Sequence, residues 1–236
     1  IMTPFLNGEV DKKKYSFILR YLKPSYKKLH DFLFETVSGV IATDLDYHLP
    51  LVHHKKYLGM IPNPVNSDLV EFKEVGAGKT LKIFHGVNSK NYAKKGNRFF
   101  DEALDRIKKM YPDKIDIIRT EDLPYEEYMS AYETCDIMMD MVYAYDQGYN
   151  ALEAMARGKV VFTGAEKEWL ETYNLVEDSV AINTLPNVEY LVNKLSMLIK
   201  DRTKMKSISI NARKFIEDHH HYVKIAEHYV EKWNSA

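Results

Sequence analysis

The stretch DQGYNALEAMARGKVVFTG, residues Asp146–Gly164, combines a helix pattern with a strand pattern. Tyr149–Arg157 places apolar residues at helical spacing, and Val160–Thr163 is a short continuous run of apolar and β-branched residues. Apolar runs without alternation are typical of strands that are buried on both faces of a parallel sheet. The stretch therefore predicts a helix that leads into a central strand of an α/β domain.

Strand and helix patterns alternate on both sides of this stretch. Strands are predicted at Leu81–Gly86, Ile115–Arg119, Ile137–Val142 and Ser179–Asn183. Helices are predicted at Asn97–Met110, Tyr125–Thr134, Glu166–Tyr173 and Val188–Ile199, and from Thr203 to Trp233 with a break near His219. This alternation indicates a Rossmann-like α/β fold, in which helices cover both faces of a parallel sheet.

The residues before this region have fewer regular patterns. A helix is predicted around Leu29–Leu33 and a strand at Gly39–Ala42. Ile61–Val65, IPNPV, contains two prolines, which remove backbone donors and restrict backbone angles. Such a stiff segment is typical of a connector between two domains. The chain begins with Ile1 and Met2 and has no recognisable opening element, so we expect it to be the C-terminal part of a longer protein.

The composition argues against several functional classes. The 236 residues are 45% hydrophobic, and the net charge of -1 gives no basic excess of the kind that nucleic-acid binding requires. No apolar run approaches the ~18–20 residues of a membrane span, and no secretory signal is visible, so we expect a cytoplasmic protein. The single cysteine, Cys135, excludes an internal disulfide and is expected to be a buried, inert thiol.

The segment VGAGKT, Val75–Thr80, contains part of the phosphate-binding motif G-x-x-x-x-G-K-[ST]. Lys73 replaces the first glycine of that motif. The residues that follow, Leu81–Phe84, have a strand pattern, whereas the motif must lead into a helix. We therefore interpret Gly76–Thr80 as a turn that leads into a strand.

Gly148 and Glu153 follow a strand at its carboxyl end, where open α/β sheets bind ligands. Gly148 starts the helix without a side chain, so a phosphate can approach the backbone N–H groups there. Glu153 lies within about two turns of that end, where its carboxylate can accept hydrogen bonds from both hydroxyls of a ribose. These residues suit a sugar nucleotide. The structural alternative is an i,i+4 surface ion pair between Glu153 and Arg157.

The segment LEAMARGKVV resembles the EAMA-x-G-x-P-V segment of the GT-B glycosyltransferases. The resemblance is to the retaining group 1 type, which includes glycogen synthase-like and lipopolysaccharide sugar transferases. It implies that Glu153 binds the donor ribose and that the helix start at Gly148 and Tyr149 binds the donor diphosphate. It also implies the C-terminal, donor-binding half of the GT-B fold.

Two more segments are similar to the same family. Ile61–Asn66 resembles its inter-domain connector, and Lys94–Leu104 resembles its KG segment, in which the lysine that matches Lys95 contacts donor phosphates. The arginine that the family has five residues earlier is Lys90 here, which keeps the charge without a bidentate contact. Because sugar transfer leaves negative charge on the nucleoside diphosphate, both lysines would stabilise the transition state without a metal ion. Without the family, the same basic segment reads equally as a solvated loop.

The sugar-contacting side of the site departs from the family pattern. Where the family has its first glutamate, eight residues before the residue matching Glu153, this chain has Tyr145. The adjacent Asp146 is the candidate replacement, and with Lys95 it is our candidate for catalysis. Asn150 is expected to be a further contact to the sugar hydroxyls.

Residues after the first two strands of the domain complete the expected donor site. His85 and Asn88 follow the first strand and are expected to face the same crevice, although His85 is equally compatible with a structural, hydrogen-bonded role. The nucleotide base is expected near Thr120, Leu123 and Tyr125, after the second strand.

The resemblance implies a domain organisation. Residues 1–66 would be the end of an N-terminal domain and the connector, and residues 67–200 the Rossmann-like domain that binds the nucleotide sugar. Residues 201–236 would be C-terminal helices that pack back on it. A complete family member has a further N-terminal Rossmann-like domain, which would supply the acceptor site.

The implied activity is transfer of a hexosyl group from a nucleoside-diphosphate sugar to a glycan, lipid-linked or small-molecule acceptor in polysaccharide biosynthesis, with retention of anomeric configuration. No cofactor besides this substrate is expected. Two alternatives remain open. One is a non-catalytic module that uses the same crevice for a nucleotide or a protein partner, and the other is a GT-B sugar-nucleotide epimerase.

Two further features receive structural interpretations. His219, His220 and His221 are consecutive, and successive side chains on a helix point about 100° apart, so they cannot converge on one metal ion. Lysines of the N-terminal region are read as a solvated face, with peripheral contact to anionic lipid as the alternative. They are Lys12–Lys14, Lys23, Lys27 and Lys28.

Overall fold

The computed structural model of the protein describes Gly8, Lys13 and residues 16–235. In its N-terminal part, two short parallel strands are joined through a helix. After a 3-10 helix at Ser16–Leu22, the elements are α1 (Pro24–Thr36), β1 (Val40–Ala42), α2 (Leu45–Leu51) and β2 (Tyr57–Met60). The strand predicted at Gly39–Ala42 is confirmed, and the predicted helix lies inside the longer α1.

Five parallel strands form the larger sheet. They are β3 (Leu81–Val87), β4 (Ile115–Glu121), β5 (Ile137–Met139), β6 (Val160–Thr163) and β7 (Ile182–Asn183). Their spatial order is β4-β3-β5-β6-β7, and all neighbouring pairs are parallel. The chain therefore changes its direction of travel across the sheet between β3 and β5. Such a switch point leaves a crevice at the carboxyl ends of the strands, which is where ligands bind in this fold class.

Helices cover both faces of this sheet. They are α3 (Tyr92–Lys95), α4 (Asn97–Met110), α5 (Tyr125–Glu133), α6 (Tyr149–Ala156), α7 (Lys167–Tyr173), α8 (Val188–Lys200), α9 (Arg202–His219) and α10 (Tyr222–Ser235). In β3, Ile83 and Phe84 are fully buried in different hydrophobic clusters, because successive side chains of a strand point to opposite faces. One cluster includes α4 and α8, the other includes α6 and α7, and α9 contributes to both. The predicted α/β fold with helices on both faces is confirmed.

Two strands are shorter than the sequence patterns predict. β5 ends at Met139 instead of Val142, because the chain leaves the sheet there and the N–H of Val142 donates to the carbonyl of Lys95 (2.8 Å). β7 begins at Ile182 instead of Ser179, whose hydroxyl and N–H both donate to the carbonyl of Val176 in a turn. β3 and β4 are instead longer than predicted, ending at Val87 and Glu121, so composition alone does not fix the ends of a strand.

Two features that suggest chemistry in the sequence are structural. Gly76 has a positive φ of 73°, its N–H donates to Asp136 (2.8 Å), and the segment leads into β3 as a turn, as predicted. Cys135 is 2% exposed, and burial raises the pKa of its thiol to about 12. The thiol is therefore protonated at neutral pH, which agrees with the predicted inert cysteine.

The connector is fastened at the break between α9 and α10. The N–H of Val65 donates to the carbonyl of His220 (2.7 Å), and the N–H of Tyr222 donates to the carbonyl of Val65 (3.2 Å). The Nδ1 of His220 donates to the carbonyl of Asn63 (2.8 Å), because a carbonyl can only accept. Burial lowers the pKa of His220 to about 4, so this imidazole is neutral at pH 7. His219 packs against Tyr173, which gives these histidines structural roles.

Four of the six N-terminal lysines are among the described residues. Of Lys12–Lys14, only Lys13 is among the described residues. Lys23, Lys27 and Lys28 are exposed on or next to α1, where Lys27 pairs with Asp31 (2.7 Å). Within the described part of the chain, no helix has both the length and the apolar composition to cross a bilayer.

An acidic contact joins the N-terminal part to the large sheet. The N–H of Leu45 donates to Oδ2 of Asp146 (2.9 Å), and the N–H of Tyr145 donates to Oδ2 of Asp46 (3.3 Å). Burial, followed by the charges of Asp44 and Asp46, raises the pKa of Asp146 to about 7. The contact therefore depends on a carboxyl group that is close to its titration point at neutral pH.

Gly164, directly after β6, has no room for a side chain. A Cβ there would lie 2.4 Å from the carbonyl oxygen of Ala144, and this oxygen belongs to the backbone, so it cannot rotate away as a side chain can. We expect Gly164→Ala to lower the free energy of unfolding by about 1–3 kcal/mol, measured by urea denaturation. Gly148→Ala is the matched control, since a Cβ there meets nothing within 4 Å, and should cost less than about 1 kcal/mol. Equal losses in both variants would contradict this packing.

Asp146→Asn should flatten the pH dependence of stability. The carboxyl group titrates near pH 7 in the folded protein and near 3.9 in an unfolded chain, so the folded state binds more protons between these values. The free energy of unfolding of the parent therefore falls as the pH rises through this window, by at most roughly 4 kcal/mol. Asparagine keeps an acceptor for Leu45 and does not titrate.

Urea denaturation at about pH 5 and about pH 8 measures the difference in the free energy of unfolding between the parent and Asp146→Asn. We expect the variant to gain stability relative to the parent at the higher pH. The same difference at both pH values would show that Asp146 does not titrate in this window.

Candidate functional site

The candidate site is the crevice between the segments that follow β3 and β5. After β3, the chain forms a 3-10 turn at Ser89–Asn91 and then the short helix α3, which ends at Lys95. After β5, residues 140–148 lead to the start of α6. The predicted diphosphate residues Lys90, Lys95 and Gly148 therefore all lie on segments at the carboxyl edge of the sheet.

Lys95 is held by both its backbone and its ammonium group. Its carbonyl accepts from Val142 (2.8 Å), and its Nζ donates to Oδ1 of Asp140 (2.9 Å). Gly96 then turns the chain with a positive φ of 72°, and a Cβ there would lie 2.8 Å from the Cβ of Val142. Gly96 is therefore needed for a close approach between the two sides of the crevice.

Asp140 is a site residue that the sequence reasoning missed. It follows the apolar run of β5 directly, and an acid at that position is the signal that could have identified it. Its side chain is 1% exposed, and its Oδ2 accepts from the hydroxyl of Thr163 (3.1 Å). Oδ1 also accepts from the amide of Asn150 (3.4 Å), whose own oxygen accepts from Tyr128 (2.9 Å). Both amide atoms of Asn150, which was predicted to contact sugar, are thus engaged within the protein.

The start of α6 is open. Gly148 is the N-cap, has no side chain to satisfy the first N–H groups, and leaves free space where a Cβ would be. Tyr149, which comes next, is exposed. The positive end of this helix is therefore accessible to an anion.

Glu153 lies one turn into α6 and is half-buried. Within residues 16–235, its carboxylate has no hydrogen-bond or ion-pair partner, so the alternative ion pair with Arg157 is not formed. The guanidinium of Arg157 lies instead 5.6 Å from the ring centroid of Tyr132. The carboxylate of Glu153 is left available to a ligand.

His85 does not face the crevice, which corrects the donor-site expectation. It lies inside β3, not after it, and is 0% exposed. Its Nε2 is 3.5 Å from Oδ1 of Asp101, which also accepts from Arg119 (2.8 Å), while Oδ2 accepts from Tyr92 (2.8 Å). Although burial alone would raise it, these donors hold the pKa of Asp101 well below its usual range. The imidazole of His85 is instead packed inside the protein, with its ring centroid 5.5 Å from that of Phe100.

The segments after β3 and β4 are linked beside the crevice. Asn88 is exposed and its side chain accepts from the N–H of Lys90 (3.0 Å). Asp122 accepts from the N–H of Ser89 (2.9 Å) and has a positive φ of 50°. Its own N–H donates to the carbonyl of Val87 (2.9 Å). Asp122 is a second residue that the sequence reasoning missed, since nothing in the pattern shows its partner.

The three residues predicted to contact the base lie around the turn after β4. Thr120 is in β4 itself, Leu123 is in the turn, and Tyr125 begins α5. Leu123 is 37% exposed and Tyr125 is 74% exposed. Both apolar surfaces are therefore accessible next to the edge at which β4 pairs with β3.

Asp146 is placed differently from the other candidates. It is 8% exposed, and one of its oxygens is occupied by the N–H of Leu45. A cavity of about 400 Å³ is lined by residues 142–145, and Asp46 and Glu166 also contribute to its lining. None of the predicted donor-site residues lines this cavity.

Comparisons with known proteins identify the family and the fold of the chain. Residues 85–231 match the family model described as glycosyl transferase-like, which covers more than half of the chain. No curated protein matches the sequence. Among solved structures, sucrose-phosphate synthase from Thermosynechococcus elongatus has a TM-score of 0.65 at 15% identity, covering 92% of this chain and 65% of that chain.

Two more structures show the same fold. HepE from Anabaena, in complex with UDP and glucose, has a TM-score of 0.66 at 17% identity and covers 91% of this chain and 70% of its own. A glycosyltransferase from Rickettsia africae has a TM-score of 0.63 at 16% identity, covering 90% of this chain and 67% of its own. This chain thus spans about two thirds of the length of these proteins. It belongs to the glycosyl transferase-like family and has the fold of the C-terminal half of a GT-B glycosyltransferase.

Proposed function

We propose that this chain binds a nucleoside-diphosphate sugar in the crevice between β3 and β5 and donates its hexosyl group to an acceptor. The observation that carries the proposal is that Lys95 and Asn150, in the first turn of α6, both donate to Oδ1 of Asp140, which brings the ammonium group near the open helix start. A cation and a helix N-terminus that face one crevice are suited to a diphosphate. Glu153, with its carboxylate unpaired, is placed to accept the ribose hydroxyls.

The assigned roles follow the charges that develop during transfer. Cleavage of the bond between sugar and phosphate leaves negative charge on the nucleoside diphosphate, and Lys90, Lys95 and the helix start at Gly148 would stabilise it. No metal ion is assigned, since these groups already supply positive charge. Asp146 remains the proposed contact to the sugar hydroxyls once donor and acceptor domains are both in place.

The binding site for the acceptor is proposed for the whole protein, of which this chain would be one part. Because the chain spans only part of the length of its structural neighbours, we propose that a second Rossmann-like domain supplies the acceptor site. The acceptor would be a glycan or lipid-linked molecule of polysaccharide biosynthesis, used in the cytoplasm or at the inner face of a membrane. Retention of anomeric configuration is proposed from the resemblance to the retaining group.

UDP is the first donor fragment to test, because HepE is described in complex with UDP and with UDP-glucose. Isothermal titration of the chain with UDP, GDP and ADP should give selective binding of one nucleotide. Glu153→Ala removes a charged acceptor for two hydroxyls, so we expect about a 10- to 100-fold loss of affinity.

Lys79→Ala is the matched control for this loss. Lys79 is an exposed residue of the GAGKT turn, outside the crevice, and its removal should leave the dissociation constant within about twofold. Binding that survives Glu153→Ala and disappears in Lys79→Ala would refute the assignment of the site.

A further inference from the structure

Asp140 occupies the position in the sheet on which the geometry of the crevice depends. It follows β5, the strand that borders the switch point, and its own N–H donates to the carbonyl of Phe162 in the neighbouring β6 (2.9 Å). The backbone of Asp140 is thereby fixed by the sheet. Its carboxylate then projects from a rigid element, which is the condition for holding another side chain in place.

The carboxylate divides its oxygens among three donors from different elements. Oδ1 accepts from the ammonium group of Lys95 (2.9 Å) and from the amide of Asn150 (3.4 Å), and Oδ2 accepts from Thr163 (3.1 Å). Asn150 is in turn oriented by the phenol of Tyr128, and burial raises the pKa of that phenol to about 12. The phenol therefore stays protonated and donates.

The ion pair is asymmetric in its exposure. The side chain of Asp140 is 1% exposed, whereas that of Lys95 is 25% exposed. An ammonium group has three N–H donors, and one of them is directed at Asp140. The carboxylate therefore lies behind the ammonium group, and the remaining donors are left for oxygen atoms that arrive from the open side.

We propose that Asp140 is a positioning residue that fixes Lys95 for a diphosphate, a role that rests on the proposed function. A lysine side chain is long and flexible, so an exposed ammonium group without a partner would occupy many positions. The backbone contact with Val142 fixes only the base of this side chain, at the carbonyl of Lys95. Asp140 fixes its end, and the anion then meets a cation that is already in place.

If Asp140 positions Lys95, removing Asp140 changes the nucleotide affinity in the direction opposite to that expected from the charge of Asp140 alone. If Asp140 acted only as a negative charge near the diphosphate, its removal would tighten nucleotide binding. If it positions Lys95, its removal weakens binding. We expect Asp140→Ala to reduce the affinity for the preferred nucleotide about 10-fold, and Asp140→Asn to reduce it less, because asparagine still offers Lys95 a neutral acceptor.

A double-mutant cycle tests whether Asp140 acts through Lys95. Titration with UDP, GDP and ADP is carried out on the parent, Asp140→Ala, Lys95→Ala and the double variant. We expect Asp140→Ala to cause no further loss once Lys95 is absent, because the group that it positions is gone. Independent, multiplicative losses would overturn the proposal, as would unchanged or tighter binding in Asp140→Ala.

Two controls separate positioning from general destabilisation. Ser209→Ala removes another buried hydrogen bond, from the Ser209 hydroxyl to the carbonyl of Gly158, and should leave nucleotide affinity unchanged. If Asp140→Ala does not fold, Asp140→Asn and its combination with Lys95→Ala complete the cycle. Failure of the parent to bind any of the three nucleotides would overturn the proposed function and this role with it, whereas normal binding in the Asp140 variants would overturn this role alone.

Discussion

The rest of the structure depends on the central position of β3, which pairs with β4 on one side and with β5 on the other. The first strand of the sheet therefore lies between the second and the third, and the connections leave β3 and β5 on opposite faces. Their carboxyl ends diverge, and the loops there cannot close over the sheet. The crevice is a direct consequence of strand order. The residues that follow these two strands lie at the edge of the sheet where ligands bind in this fold class.

The ammonium group of Lys95 is held in this crevice by the carboxylate of Asp140, and burial of that carboxylate is unfavourable. Asp140 is almost completely removed from solvent, and an isolated buried charge would be strongly unfavourable. Lys95, Thr163 and Asn150 together compensate it, so four residues from different elements become dependent on one another. A network of this kind stabilises a specific geometry, because the loss of one partner leaves the others unsatisfied.

The C-terminal helices fix the connector relative to the sheet. The guanidinium of Arg213, on α9, donates to the carbonyls of Ser67 (3.0 Å), Val70 (2.8 Å) and Ala156 (3.0 Å), which belong to the segment after the connector and to the end of α6. The neutral His220 holds the connector itself through Asn63. The helix that carries Gly148 and Glu153 is thereby linked to the segment that leads to the N-terminal part.

The sequence by itself determined the elements and their class. The apolar run Val160–Thr163 and the helix pattern of Asn97–Met110 have the predicted bounds, because periodicity reflects local geometry and burial on both faces requires continuous apolar strands. The sequence also identified the open helix start at Gly148, since the absence of a side chain is visible in the residue type.

Only the tertiary structure decided which side chains meet. Asp140 and Lys95 are 45 residues apart, and Asp146 and Leu45 are 101 residues apart. His85 was expected to face the crevice and is instead buried opposite Asp101, because its position inside β3 directs it into the layer between sheet and helix. Partners of this kind depend on strand order and on where each strand ends, and neither is set by local periodicity.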